Sequence, residues 1–147
     1  MNIRRLTAED LPALARLYHQ FWGETSSLPA MRDTFRRIDS DPAYILLAAD
    51  DGSLCGSAMG VVCQELYGQC RPFMVVEDVV VDRDFRRKGI ASALMRELES
   101  QASQHGCATI FFVTESERTG ARRFYESLGY SPDACSGFKK RLQPPAE

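Results

Sequence analysis

Val79-Val80-Val81-Asp82-Arg83-Asp84-Phe85-Arg86-Arg87-Lys88-Gly89-Ile90-Ala91-Ser92-Ala93-Leu94-Met95 is the stretch around which the rest of this chain is organised. Its three valines are β-branched and suit a strand. From Ile90 the apolar residues recur as Ile90, Leu94 and Leu98, which is helical spacing. Between strand and helix lies a basic turn, Arg86, Arg87, Lys88 and Gly89. A strand that stops, turns through glycine and opens a helix leaves the first helical N–H groups unpaired. Those donors and the positive end of the helix dipole make an anion site. Gly89 has no side chain to keep a phosphate from the backbone, and the basic side chains add charge. A phosphate-rich ligand is the expectation. The same residues also fit an ordinary strand–helix junction with a solvated basic turn. Neither the Walker order nor the Gly-x-Gly-x-x-Gly dinucleotide fingerprint is present.

The chain has 147 residues, which suits one domain with a good core. A hydrophobic fraction of 44% and a charged fraction of 26% are those of a soluble globular protein. The net charge of −2 gives no reason to expect nucleic acid. The basic residues nevertheless cluster at 83–88, 118–123 and 139–141, which suits a polyanionic cofactor held in a local pocket. The five cysteines are odd in number and lack Cys-x-x-Cys spacing, so a cytoplasmic protein with reduced thiols is expected. With only His19 and His105 as imidazoles, no metal site is expected. No signal pattern or long apolar run points to secretion or a membrane span.

Taken in order, Ile3–Leu6 reads as a short strand. Asp10 is the expected cap of a first helix whose stripe is Leu11, Leu14, Leu17, Tyr18 and Phe21. Trp22 to Pro29 reads as a loop, and a second helix covers Met31 to Ile38. A strand over Tyr44–Ala49 turns at Asp50-Asp51-Gly52-Ser53 into a return strand, Leu54–Cys63. Gly56 and Gly60 in that strand imply a bulge or a close backbone approach. Phe73–Val81 is the long central strand. The helix from Ile90 should stop at His105-Gly106. Thr109–Val113 reads as a buried strand, a helix begins at Ser116 to Thr119, and Phe138–Leu142 reads as a last strand.

Two motifs carry a resemblance. Arg86-Arg87-Lys88-Gly89-Ile90-Ala91 after a valine-rich strand resembles the pyrophosphate loop Arg/Gln-x-x-Gly-x-Gly/Ala of the GNAT acetyltransferases. Ala121-Arg122-Arg123-Phe124-Tyr125-Glu126-Ser127-Leu128-Gly129-Tyr130 resembles that family's Ala-x-x-Phe/Leu-Tyr-x-x-x-Gly-Phe/Tyr signature. The resemblance implies an α/β (α+β) fold, a mixed, centrally splayed β-sheet flanked by about four helices. It implies one acetyltransferase domain over residues 1–143, with 144–147 a disordered tail. The co-substrate it implies is acetyl-CoA, with the backbone of Val79, Val80 and Val81 along the acetyl and pantetheine arm. Arg86, Arg87, Lys88, Gly89, Ile90, Ala91 and Ser92 would cradle the pyrophosphate. Phe124 would also lie against the cofactor. Tyr125 matches the tyrosine near the CoA sulfur that often serves as general acid, although spacing alone reads it as a packed helix residue. Many members carry Asn where this chain has Arg118, so that contact is replaced or lost.

Direct transfer needs an oxyanion donor, a base for the ammonium proton and an acid for the leaving thiolate. Glu77 is the candidate base, because a carboxylate in an otherwise apolar strand is costly unless paired or functional. A salt bridge to an arginine is the other reading. Strict alternation puts Glu77 on one face with Val79 and Val81, and Asp78 on the other. Glu117 reads as a first-turn helix charge. The implied acceptor is a small-molecule amine. Protein or peptide acetylation and a non-catalytic acetyl-CoA-binding sensor are the alternatives. A homodimer is left open.

Overall fold

Asp51 and Gly52 turn the chain as their chemistry requires: Gly52 has φ +90°, and its N–H donates to Asp50 Oδ1 at 3.0 Å. In the computed structural model, which describes residues 1–114 and 119–143, this hairpin joins β2 (Tyr44–Asp50) to β3 (Leu54–Cys63). Around it the described residues form a five-stranded sheet in the order β1-β2-β3-β4-β5, with β1 at Asn2–Arg5, β4 at Phe73–Val81 and β5 at Thr109–Phe111. The first four strands pair antiparallel, and β5 joins β4 in parallel. The sheet is therefore mixed, as expected.

Helices α1 (Leu11–Trp22) and α2 (Leu28–Asp39) cover one face. Leu11, Leu14, Leu17 and Phe35 bury there against Leu46, Ala48 and Val80. Helix α3 (Ile90–Gln104) covers the other, burying Ile90, Leu94, Met95 and Leu98. The two glycines of β3 explain how closely it sits. A Cβ on Gly56 would fall 2.9 Å from Ile90 Cγ2, and one on Gly60 would fall 2.9 Å from Met74 Sδ and 3.0 Å from Leu98 Cδ2. The close approach inferred from these glycines is to α3 and its neighbour Met74. His105 and Gly106, the latter at φ +76°, end α3 as predicted.

The described residues divide into a unit of Met1–Phe112 and a second unit from Val113 onward. The second carries α4 (Thr119–Ser127), which Gly129 follows at φ +94°.

Several expectations are corrected. Asp10 does not cap α1. Its carboxylate accepts two hydrogen bonds from Arg4, both 2.8 Å, and one from the Thr7 N–H at 2.8 Å. A bidentate guanidinium outcompetes a cap, and it holds the Asp10 carboxyl below the usual range. Trp22 closes α1 rather than opening a loop, and α2 starts at Leu28, with Ser27 Oγ accepting from the Ala30 N–H. β5 stops at Phe111, and Phe138–Leu142 carries no strand: both of its large apolar residues are almost fully exposed. The start of the last helix at Ser116–Arg118 and the tail at 144–147 lie outside the described residues.

Candidate active site

β4 is a regular partner of β3 only at its ends. Val76 pairs with Gly60 and Glu77 with Met59, and Val80 then pairs with Ser57 and Val81 with Gly56. Two residues, Asp78 and Val79, therefore stand opposite Ala58 alone. This is a β-bulge, and Asp78 takes φ +56° within it. An extra residue inverts the alternation beyond it. Gly60 and Gly56 face α3, so their partners Val76 and Val81 do too. Val80 joins the core beneath α1 and α2, and Met59, the partner of Glu77, packs against that same core. Glu77 thus shares a face with Val80 and not with Val79 and Val81, which corrects the alternation argument.

The two consecutive acids have no ion pair and no hydrogen-bond partner among the described residues. The salt bridge to an arginine envisaged for Glu77 is therefore absent there. Burial and the neighbouring Asp78 raise the Glu77 carboxyl above its ordinary range, and burial raises that of Asp78. The Asp78 charge also reaches α1, where burial first and Asp78 second push the Tyr18 hydroxyl up. Tyr18 belongs to an aromatic group with Trp22 at 5.3 Å, and Phe21 meets Trp22 edge-on at 4.8 Å.

The opposite edge of β4 is half open. β5 pairs with Phe73, Met74 and Val75 and with nothing beyond. From Val76 to Val81 the backbone groups on that edge have no strand partner among the described residues. This is the local splay of the sheet.

Past Val81 the chain enters a short 3-10 turn, Arg83–Phe85, pinned at both ends. The Asp82 N–H donates to Cys55 O at 2.8 Å, and the Arg83 N–H donates to Gln20 Oε1 at 2.9 Å. Arg87 at φ +62° and Gly89 at φ +77° then turn the chain into α3. Gly89 is the N-cap, and no side chain caps the helix. No acidic residue lies in the first turn either, so its N–H groups stay available to an anion. Arg86, Arg87, Lys88 and Gly89 are exposed, and none of the three cations has an ion pair among the described residues. Lys88 Nζ lies 4.7 Å from the Phe85 ring centre. Ile90 is buried, so only its backbone can serve an anion, while Ala91 and Ser92 are half-buried.

In the second unit, Phe124 and Tyr125 are half-buried on α4. Their ring centres are 5.0 Å apart, and the Tyr125 ring meets Tyr130 edge-on at 6.3 Å. The Tyr130 N–H donates to Tyr125 O at 3.1 Å, fixing the turn after the helix. Arg118 lies outside the described residues. A cavity of about 580 Å³ bordered by Arg4, Asp39, Glu97 and His105 contains none of the sequence-predicted site residues.

Sequence reasoning missed the bulge at Asp78 and Val79. Two successive polar residues in an apolar strand were the available sign of it.

The model of the acetyltransferase (GNAT) family matches residues 11–130. An acetyltransferase of Pectobacterium atrosepticum is 30% identical over 147 residues, covering 97% of this chain and 96% of that protein. An aminoglycoside N(6')-acetyltransferase type 1 of Salmonella typhimurium is 23% identical over 132 residues, 88% of this chain and 91% of that one. Among solved structures, glucosamine-6-phosphate N-acetyltransferase of Arabidopsis thaliana superposes with a TM-score of 0.86 at 20% identity, covering 97% of this chain and 98% of its own. That last likeness establishes the shared fold.

Proposed function

The chain belongs to the acetyltransferase (GNAT) family, and on that premise we propose that it transfers the acetyl group of acetyl-CoA to a primary amine on a small molecule, by direct attack within a ternary complex. One observation carries the reading: the open half of β4 leads into an uncapped, basic turn. An extended thioester arm with amide groups can hydrogen-bond along Val76–Val81. Its pyrophosphate then meets the N–H groups from Gly89 to Ser92, with Arg86, Arg87 and Lys88 alongside.

In the step itself, the amine nitrogen attacks the thioester carbonyl carbon and the carbon–sulfur bond breaks. Backbone N–H groups along Val79–Val81 receive the developing oxyanion. Glu77, directly or through water, takes the proton the ammonium releases. Burial and the neighbouring Asp78 raise its carboxyl, the direction that strengthens a base. Tyr125 gives the departing sulfur a proton and recovers it from solvent. This assignment has residues 1–143 working as one domain. The free thiols of all five cysteines fit a reducing compartment such as the cytoplasm.

One sequence relative named above is, by name, an aminoglycoside acetyltransferase, which favours a small acceptor. Release of free CoA thiol, followed with a panel of small amines and with a peptide N-terminus, tests the reading. Turnover confined to the peptide would refute the small-molecule acceptor. Tight CoA binding with no turnover on any amine would leave a binding module.

A further inference from the structure

We propose that Gln20 is a positioning residue for the pyrophosphate turn: from α1 it fixes how the chain enters Arg86–Gly89, and the affinity for CoA depends on it. The proposal rests on the acetyl-CoA reading above.

Every backbone N–H of the short turn Arg83–Phe85 has an acceptor. Two are local, since the Asp84 N–H donates to Asp82 Oδ1 at 2.9 Å and the Phe85 N–H to Asp82 O at 2.9 Å. The third comes from far away in the chain. The Arg83 N–H donates to Gln20 Oε1 at 2.9 Å, across 63 positions of sequence. A backbone N–H can only donate, so the atom that meets it must be the amide oxygen and not the amide nitrogen. Gln20 lies in the last turn of α1, a helix anchored in the core by Leu11, Leu14 and Leu17. Its side chain therefore ties the turn to a fixed element.

The residues that follow have little else to hold them. Arg86, Arg87 and Lys88 are exposed, so packing does not place them. Arg87 sits at φ +62°, a conformation that a non-glycine residue keeps only where its surroundings impose it. On the far side the chain is set by Ile90, buried at the start of α3. On the near side the Asp82 N–H, donating to Cys55 O at 2.8 Å, holds the end of the strand, and Gln20 holds the turn itself. This contact serves orientation more than stability. Arg83 is exposed, and a cavity of about 280 Å³ bordered by Arg16, Gln20, Leu54 and Asp82 admits water beside it. Water can take the Arg83 N–H when Gln20 is replaced, so the fold survives while the turn loses its orientation.

The test compares the parent with Gln20→Met, which keeps the length of the side chain and loses the acceptor, and with Gln20→Glu, which keeps an acceptor oxygen. His19→Gln, an exposed change in the same helix turn, is the control. Binding of CoA is measured by calorimetry, and binding of pantetheine, which lacks the pyrophosphate, by displacement of CoA. Losing the alignment that one hydrogen bond supplies should lower CoA affinity about threefold to tenfold in Gln20→Met. Pantetheine affinity should stay within about twofold of the parent's, and Tm within about 3 °C. In about 0.3 M NaCl, where the added charge is screened, Gln20→Glu should bind CoA within about twofold of the parent. His19→Gln should match the parent throughout. A folded Gln20→Met variant with parental CoA affinity overturns the proposal. So does an equal loss for pantetheine, or a Gln20→Glu variant that binds no better than Gln20→Met. A Gln20→Met variant that does not fold overturns it too, the contact then being structural. Should the parent bind no CoA, the acetyl-CoA reading falls, and inorganic pyrophosphate is titrated in its place. Weaker pyrophosphate binding in Gln20→Met then sustains the positioning role, and undiminished or absent binding overturns it.

Discussion

Gly56→Ala, a change on β3, should move the N-terminal end of α3 by pressing on Ile90. The new Cβ would lie 2.9 Å from Ile90 Cγ2, 3.1 Å from the Val80 carbonyl oxygen and 3.4 Å from Leu94 Cδ1. Ile90 is β-branched and stiff at χ1, so it cannot swing aside cheaply. The first turn of α3 has to shift outward. Overpacking of this kind costs about 1–3 kcal/mol, partly offset by about 0.5–1 kcal/mol from replacing a strand glycine. The expected net loss is about 1–2 kcal/mol in urea denaturation. CoA affinity by calorimetry should fall several-fold, because Ile90 begins the turn that carries the N–H donors. A double-mutant cycle isolates the cause. Ile90→Ala alone should cost about 2–5 kcal/mol, and adding Gly56→Ala to it should cost clearly less than in the parent, the 3.1 Å approach to the Val80 carbonyl oxygen remaining. The coupling energy should therefore be about 1 kcal/mol. Additivity within about 0.5 kcal/mol would refute the steric account. An unaltered CoA affinity in the destabilised single variant would refute the claim that this contact positions the loop. Gly60→Ala is the contrast: it meets the Met74 thioether first, a flexible group, and should cost less with CoA binding unchanged.

Gly89→Val places a β-branched residue at φ +77° and in the phosphate's path, so CoA affinity should drop by more than about tenfold in a folded variant, read by calorimetry. Glu77→Gln should lower turnover near neutral pH by about 10²–10⁴-fold, with partial recovery at high pH where free amine is abundant. The same variant gives a stability signature. The native Glu77 carboxyl is raised, so the folded state holds its proton longer than the unfolded chain, and stability falls as pH rises from the ordinary carboxylate range through the raised value. Removing the charge should flatten that fall and leave Tm at neutral pH no lower than the parent's, whereas a lower Tm would point to a structural role. Tyr125→Phe should reduce kcat by roughly tenfold to a few hundredfold with little change in the acetyl-CoA KM, and a parent-like rate with chemistry limiting would make Tyr125 a packing residue.

The basic turn was legible because its features are local. A glycine at positive φ, a cluster of like charges and the onset of helical spacing all appear within a few residues, and the structure keeps each of them. The Asp-Gly hairpin was legible for the same reason. What could not be read depended on partners distant in sequence. Asp10 looks like a cap until Arg4 reaches it across the β1–α1 corner. Gly56 and Gly60 announced a close approach, but only the packed helix showed that Ile90 and Leu98 make it. The facing of Glu77 failed because alternation assumes an unbroken ladder, and the break lies in how β4 registers with β3. Phe138–Leu142 has strand composition, yet composition cannot provide a neighbouring strand to pair with.

The bulge has one more consequence. Removing Asp78 on paper leaves Val79 opposite Ala58 and every other β3–β4 pair as it is, so this residue is an insertion that costs the sheet no register. No ladder contact constrains the side chain at this position, although its φ of +56° favours Asp, Asn or Gly over bulky or β-branched residues. Exchanges among those residue types should therefore be tolerated by the sheet, and β4 can vary there one residue at a time without either neighbouring strand having to follow.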